Sequence, residues 1–326
     1  MKKLNAKEVN AAISPRGIEP TDKNVDQTLK NIHKKMLQLY HFDFTPINEV
    51  KILKQSELLN QLFLRMRTDL EKNDAVHSYK LWNQITETLN NNQTAGLFDN
   101  FSFYNPKEDI LYLNQNMMLT NPEKTAPICA HELAEKLLST YVSSRLDARV
   151  KTASNLYAEG RKSLGTGKYR ELLNIYIDTA FTGIFKEGCC EMIALQTLNS
   201  MGYDTLSWEE ELQTGYSKCK VLLYYMDNFR NSLEENQLSP VKDRKREDTT
   251  DELEPIKKVL RTSQIVKGLS YFLGYPLAKS VLEKYGISGI KVALEECPPL
   301  RGRYFTDPQT YQDELGKHLY EQKGGE

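Results

Sequence analysis

Apolar residues recur at intervals of three and four along most of this chain, a spacing that gathers them on one face of an α-helix and leaves little room for sheet. Leu29, Ile32, Met36 and Leu39 form one such stripe, Leu58, Leu59, Leu62, Phe63 and Met66 a second, and Leu81, Ile85 and Leu89 a third. Three helices are therefore expected between Lys23 and Asn92. Only residues 101–104 and 110–113 break the pattern, and they flank Asn105-Pro106-Lys107-Glu108-Asp109, a turn sequence that suits a β hairpin. The expected fold class is mainly α with a small β hairpin or sheet, an α+β arrangement.

Further along, Thr125 suits a helix cap with Pro127 in the first turn, and that helix should run through HELAEKLLSTYV to about residue 143. A helix over 184–201 should stop at Gly202. Helices are expected over 207–233 and 253–272, on either side of the charged segment SPVKDRKREDTTDELEP. Beyond them, Gly274, Gly286, Gly289 and Pro298-Pro299 point to short helices and turns. The organisation this implies is a loose arm over 1–22, a helical region over 23–97, a core over 98–205 and a C-terminal helical region over 206–326.

Charge excludes some partners. Lys plus Arg number 43 against 44 Asp plus Glu, so no net field draws the protein to nucleic acid or anionic lipid. No apolar run approaches the ~20 residues that span a bilayer, and no apolar stretch follows the basic N-terminus. With five cysteines and no zinc-ribbon spacing, the expectation is a cytoplasmic protein with free buried thiols, no nucleic-acid partner and no membrane.

The chemically loaded residues lie on two helices. His131 and Glu135 are four apart, with Glu132 beside them, so the first two point the same way from the margin of the stripe Ala130, Leu133, Ala134, Leu137 and Tyr141. Glu187 and Glu191 repeat that spacing in line with Ala194, Leu195 and Leu198. A buried carboxylate costs several kcal/mol unless a cation, a metal or hydrogen-bond donors meet it. One imidazole with two or three carboxylates suits Zn²⁺, and its oxygen-rich character would alternatively accept Mn²⁺ or Fe²⁺.

The succession ILYLNQNMM, a proline-containing helix start, CAHELAEKLL and then KEGCCEMIAL resembles zincin metallopeptidases of the gluzincin type over residues 110–198. In that family an edge strand precedes a helix with H-E-x-x-H, and a later helix opening E-G-x-x-E supplies a glutamate ligand. The resemblance implies a zincin-like helical core in which His131 and Glu187 are metal ligands and Glu132 is the general base acting on metal-bound water. It also implies that strand 110–113 aligns an extended peptide substrate. The chain departs from the family at Glu135, which stands where the second histidine would be. An anionic ligand there makes the metal less electrophilic and its water less acidic.

Two functions follow. One is a metal-dependent, peptidase-like hydrolase with metal on His131, Glu135 and Glu187, Glu132 as base and Glu191 as a second-sphere or spare ligand. The other is a catalytically inactive zincin-like scaffold that needs no metal and serves as a helical protein-binding module. A peptide or protein is the partner in both. Other signals read as structure: GRKSLGTGK has Thr166 where a phosphate-binding loop needs lysine, and the basic run at Lys242, Arg244, Lys245 and Arg246 is neutralised by Glu247 and Asp248. Cys189 and Cys190 point about 100° apart on a helix and read as small buried hydrophobes.

Overall fold

A computed structural model describes residues 22–41, 43–62, 64, 102–139, 141, 166–234, 254–295 and 300–324. The expected N-terminal arm up to residue 21, the helix around Leu81–Leu89, residues 160–165 of GRKSLGTGK and most of the charged segment before Glu254 lie outside the described residues. What is described is mainly helical with one three-stranded mixed sheet. Among the described residues no helix is long and apolar enough to cross a membrane. The chain divides into two compact units, residues 1–137 with 193–205, and residues 138–192 with 206–326.

In the first unit, α1 (Asp22–Tyr40) buries Val25, Leu29, Ile32 and Met36, the face its spacing predicts, while Leu39 is left exposed. It is followed by β1 (Glu49–Leu53) and by α2, residues 55–62. The expected hairpin is present: β2 (Phe103–Asn105) runs antiparallel to β3 (Ile110–Asn114), with Phe103 opposite Tyr112 and Tyr104 opposite Leu111. Asn105 organises its turn, accepting from the Lys107 amide at 3.1 Å, and Asp109 takes a left-handed φ of 57° that a short polar residue tolerates. Leu58, Phe103, Ile110 and Tyr112 form a small cluster under the sheet.

The strand order is β1-β3-β2, with β1 parallel to β3. That corrects one expectation. Strand 110–113 is central rather than an edge, its backbone groups are shared with neighbours on both sides, and all five β3 residues are buried. It therefore has no open ladder on which an extended peptide would align.

Asn114 caps α3 (Gln115–Thr120) by accepting from the amides of Asn116 at 2.9 Å and Met117 at 3.4 Å. After a 3₁₀ turn at Pro122–Lys124, α4 covers residues 125–139. Thr125 is already helical and buried, so the Asn121-Pro122 turn, not a Thr125 cap, starts this helix. The residues after 192 complete the unit, and Gly202 stops their helix with a φ of 89°, as expected.

The second unit is built from α5 (Thr166–Ser200, its residues up to 192), α6 (Leu206–Cys219), α7 (Val221–Glu234), α8 (Glu254–Glu295), α9 (Gly302–Thr306) and α10 (Pro308–Gly324). The expected helix over 207–233 is two, broken at Lys220. Of the glycines expected at turns, Gly274 and Gly289 lie within helix. Gly274 lies inside α8 where it crosses α5 at Gly188: a Cβ on Gly188 would fall 2.1 Å from the Gly274 carbonyl carbon. Only Gly286, with a φ of 65°, interrupts α8. Asp227 of α7 caps α9, accepting from the Gly302 and Arg303 amides at 2.8 Å, and a buried Arg230–Asp178 ion pair ties α7 to α5.

Candidate functional site

The chemistry expected of HELAE rests on α4. Its apolar face, Cys129, Ala130, Leu133, Ala134, Leu137, is buried as the spacing predicts. His131 and Glu135 sit half-buried at its margin, and the Nδ1 of His131 is shielded from solvent. Glu132, by contrast, is only 7% exposed.

The environment of Glu132 explains how a carboxylate is tolerated there. Its Oε2 accepts the backbone N–H of Tyr104 at 2.9 Å. Strand β2 is one of the two outer strands of the described sheet, and an outer strand leaves alternate amides without a sheet partner. Glu132 supplies one from the helix. A hydrogen bond to a charged acceptor is worth about 1.5–3 kcal/mol, enough to offset much of the cost of burying the group.

One turn later on α4, Lys136 repeats the arrangement with the opposite charge. Its Nζ donates to the Pro46 carbonyl at 2.7 Å and to Asp109 Oδ1 at 2.6 Å, and the same Asp109 oxygen accepts the Tyr104 hydroxyl at 2.8 Å. Lys136 is 9% exposed, and its ammonium lies 5.9 Å from the centre of the Tyr104 ring. Glu132 and Lys136 therefore grip β2 and the hairpin turn from a single face of α4. Burial, the Asp109 hydrogen bond and the nearby charges of Asp109 and Glu135 hold the Tyr104 phenol well above its ordinary value, so it remains a donor. Burial and the Glu132 charge likewise push the Cys129 thiol up, away from the thiolate a metal would require.

Glu187 and Glu191 both lie on α5, the former half-buried and the latter 7% exposed with its Oε2 shielded from solvent. Helix spacing brings His131, Glu132 and Glu135 together on α4, in the first unit, and Glu187 with Glu191 on α5, in the second. Among the described residues, all five included, no three His, Cys, Asp or Glu side chains are grouped to hold a metal ion.

The glycine of KEGCCE also has a structural cause. Gly188 is required by the crossing with Gly274, where any side chain would strike backbone. Cys189 is buried, and burial alone raises its thiol far above the ordinary range. Sequence reasoning missed Tyr104, Asp109 and Lys136 as partners of this site. The signal available was the Glu132–Lys136 pair, opposite charges four apart beside an apolar stripe. No protein-family model matches the chain, and no curated protein or solved structure matches it either.

Proposed function

We propose that this chain is a catalytically inactive, zincin-like helical scaffold that acts as a protein-binding module. The observation that carries the proposal is the engagement of Glu132. A general base has to present its carboxylate to a water and a substrate. Here that carboxylate is buried against the sheet and holds the Tyr104 amide. Strand β2 gives up to Glu132 an amide that a peptide strand adding to that edge would otherwise take. The charged residues of HELAEK serve assembly of the scaffold, and binding is left to its helical surface. Buried thiols at Cys129 and Cys189 agree with a reducing, cytoplasmic setting.

The competing hydrolase, with metal on His131, Glu135, Glu187 and Glu191, makes an opposite prediction. Incubation of the full chain with a quenched-fluorescent peptide library, in separate Zn²⁺, Mn²⁺ and Fe²⁺ reactions, should give no cleavage above that of Glu132→Gln. Metal-dependent cleavage abolished in Glu132→Gln would overturn the module reading.

A further inference from the structure

The two outer strands of the sheet are finished differently. On β2, Glu132 takes the Tyr104 amide. On β1, Glu49 donates its amide to the Asp109 carbonyl at 3.3 Å, which turns the backbone groups of Glu49, Lys51 and Leu53 toward β3 and those of Val50 and Ile52 the other way. Among the described residues nothing hydrogen-bonds to those outward groups. We infer that β1 is the edge through which two copies of this chain pair, antiparallel and about a two-fold axis, so that the three strands of each copy join into one continuous sheet. Self-association of this kind is independent of the binding-module reading and adds a second copy of the chain to its partners.

The side chains select the register. A two-fold pair sets the same strand against itself, and only registers that bring outward-facing backbone groups together form a ladder. With Val50 opposite Val50, the two valines exchange both backbone hydrogen bonds, and Ile52 of each copy lies against Asn48 of the other. Glu49 of each copy then stands directly opposite Lys51 of the other. Opposed residues that share no hydrogen bond have the closest side chains, so both charge pairs fall where they attract most. The Glu49 and Lys51 side chains lie 3.5 Å apart on one face of the strand and stay 49% and 41% exposed, so both can reach an adjoining strand.

The neighbouring registers are disfavoured. Centring the pair on Lys51 sets lysine opposite lysine, which repels. Centring it on Ile52 sets Val50 against Lys54, whose amide is given to Glu57 Oε2 at 3.1 Å and whose carbonyl accepts the Leu58 amide at 2.9 Å. A lysine on an edge strand ordinarily keeps copies apart, but with Glu49 two residues away it fixes one alignment instead. An unrelated strand would meet the same backbone groups without matching both charges, and that match favours a second β1 as the occupant.

The test is sedimentation velocity of the full chain at low salt over about 1–100 μM, where the wild type should show a monomer–dimer equilibrium. Glu49→Lys, which sets lysine opposite lysine, and Lys51→Glu, which sets glutamate opposite glutamate, should each weaken the dimer at least about tenfold. Both changes in one chain, Glu49→Lys with Lys51→Glu, should restore it, and mixing the two single variants should give a heterodimer. The mixture isolates pairing between copies, because each single variant has already lost the ion pair within its own strand. A wild type that is monomeric at about 100 μM, a dimer indifferent to the single changes, a double exchange no tighter than the singles, or a mixture that stays monomeric would overturn the pairing. Both side chains are partly exposed, so the variants should fold.

Discussion

Glu132 Oε2 and the Tyr104 amide are 2.9 Å apart, and through that bond the second residue of H-E-x-x-E holds β2, an outer strand of the sheet. The residue that a metallopeptidase would use on water is here part of the joint between helix and hairpin. Its replacement should consequently be felt first in stability. Glu132→Ala leaves the Tyr104 amide without this acceptor and should cost about 1.5–3 kcal/mol in urea denaturation. Glu132→Gln keeps an acceptor of the same length and should cost less. Equal losses in the two variants would contradict the hydrogen bond.

Lys136 and Asp109 should be energetically coupled. Lys136→Met removes the donor to Asp109 and Pro46 while keeping most of the stem, and Asp109→Asn removes the charge from the other side. A double-mutant cycle on folding free energy should return a coupling of about 1 kcal/mol, since Lys136 is buried while Asp109 is partly exposed to solvent. Additive effects would place Lys136 outside the clamp.

Glycines of α5 should respond in opposite ways to alanine. At Gly188 the added Cβ meets the Gly274 backbone, so Gly188→Ala should destabilise by about 3 kcal/mol. At Gly183, on the same helix, nothing lies within 4 Å of the added atom, and alanine should stabilise by up to about 1 kcal/mol. Thermal melts of the two variants read the difference directly. Similar behaviour would remove the α5–α8 crossing.

The Glu209–Tyr275–Lys279 group gives stability a defined pH dependence. Hydrogen bonds from Lys279 and then Tyr275 hold the Glu209 carboxyl below its ordinary value of 4.5. A depressed carboxyl stabilises the fold above that value and loses its contribution as pH falls through the lower, folded value. Burial, followed by the bond to Glu209, pushes the Tyr275 phenol up to about 12, and the Glu209 bond raises Lys279 from 10.5. Those contributions are present below the ordinary values and are lost as pH rises through the higher ones. The stability gap between wild type and Glu209→Gln should therefore be widest near neutral pH and narrow below 4.5 and above 10. A constant gap would count against the network.

How much of this was legible depends on whether a feature was local. The hairpin was, because Asn105-Pro106 and a following polar run specify a turn whatever surrounds it. The buried face of α4 and the stop at Gly202 follow from spacing and from glycine's access to positive φ. Strand β1 was missed because five residues, Glu-Val-Lys-Ile-Leu, carry too short an alternation to stand out. Gly274 was read as a turn because a glycine that ends a helix and one that lets two helices touch are the same letter; only the position of Gly188 distinguishes them. Glu132 and Lys136 were visible as charges beside an apolar stripe, but their partners, an amide of β2 and a turn aspartate, are brought to them by the sheet. The Lys279–Glu209 pair, separated by 70 residues, left no mark in the sequence.

The most direct measurement is elemental analysis of the purified full chain after separate incubation with Zn²⁺, Mn²⁺ and Fe²⁺ and removal of excess ion, alongside His131→Ala. A structural clamp on α4 predicts no stoichiometric metal that depends on His131, and the same metal content in both proteins. About one equivalent in the wild type that disappears in His131→Ala would contradict the scaffold account and restore the metal centre.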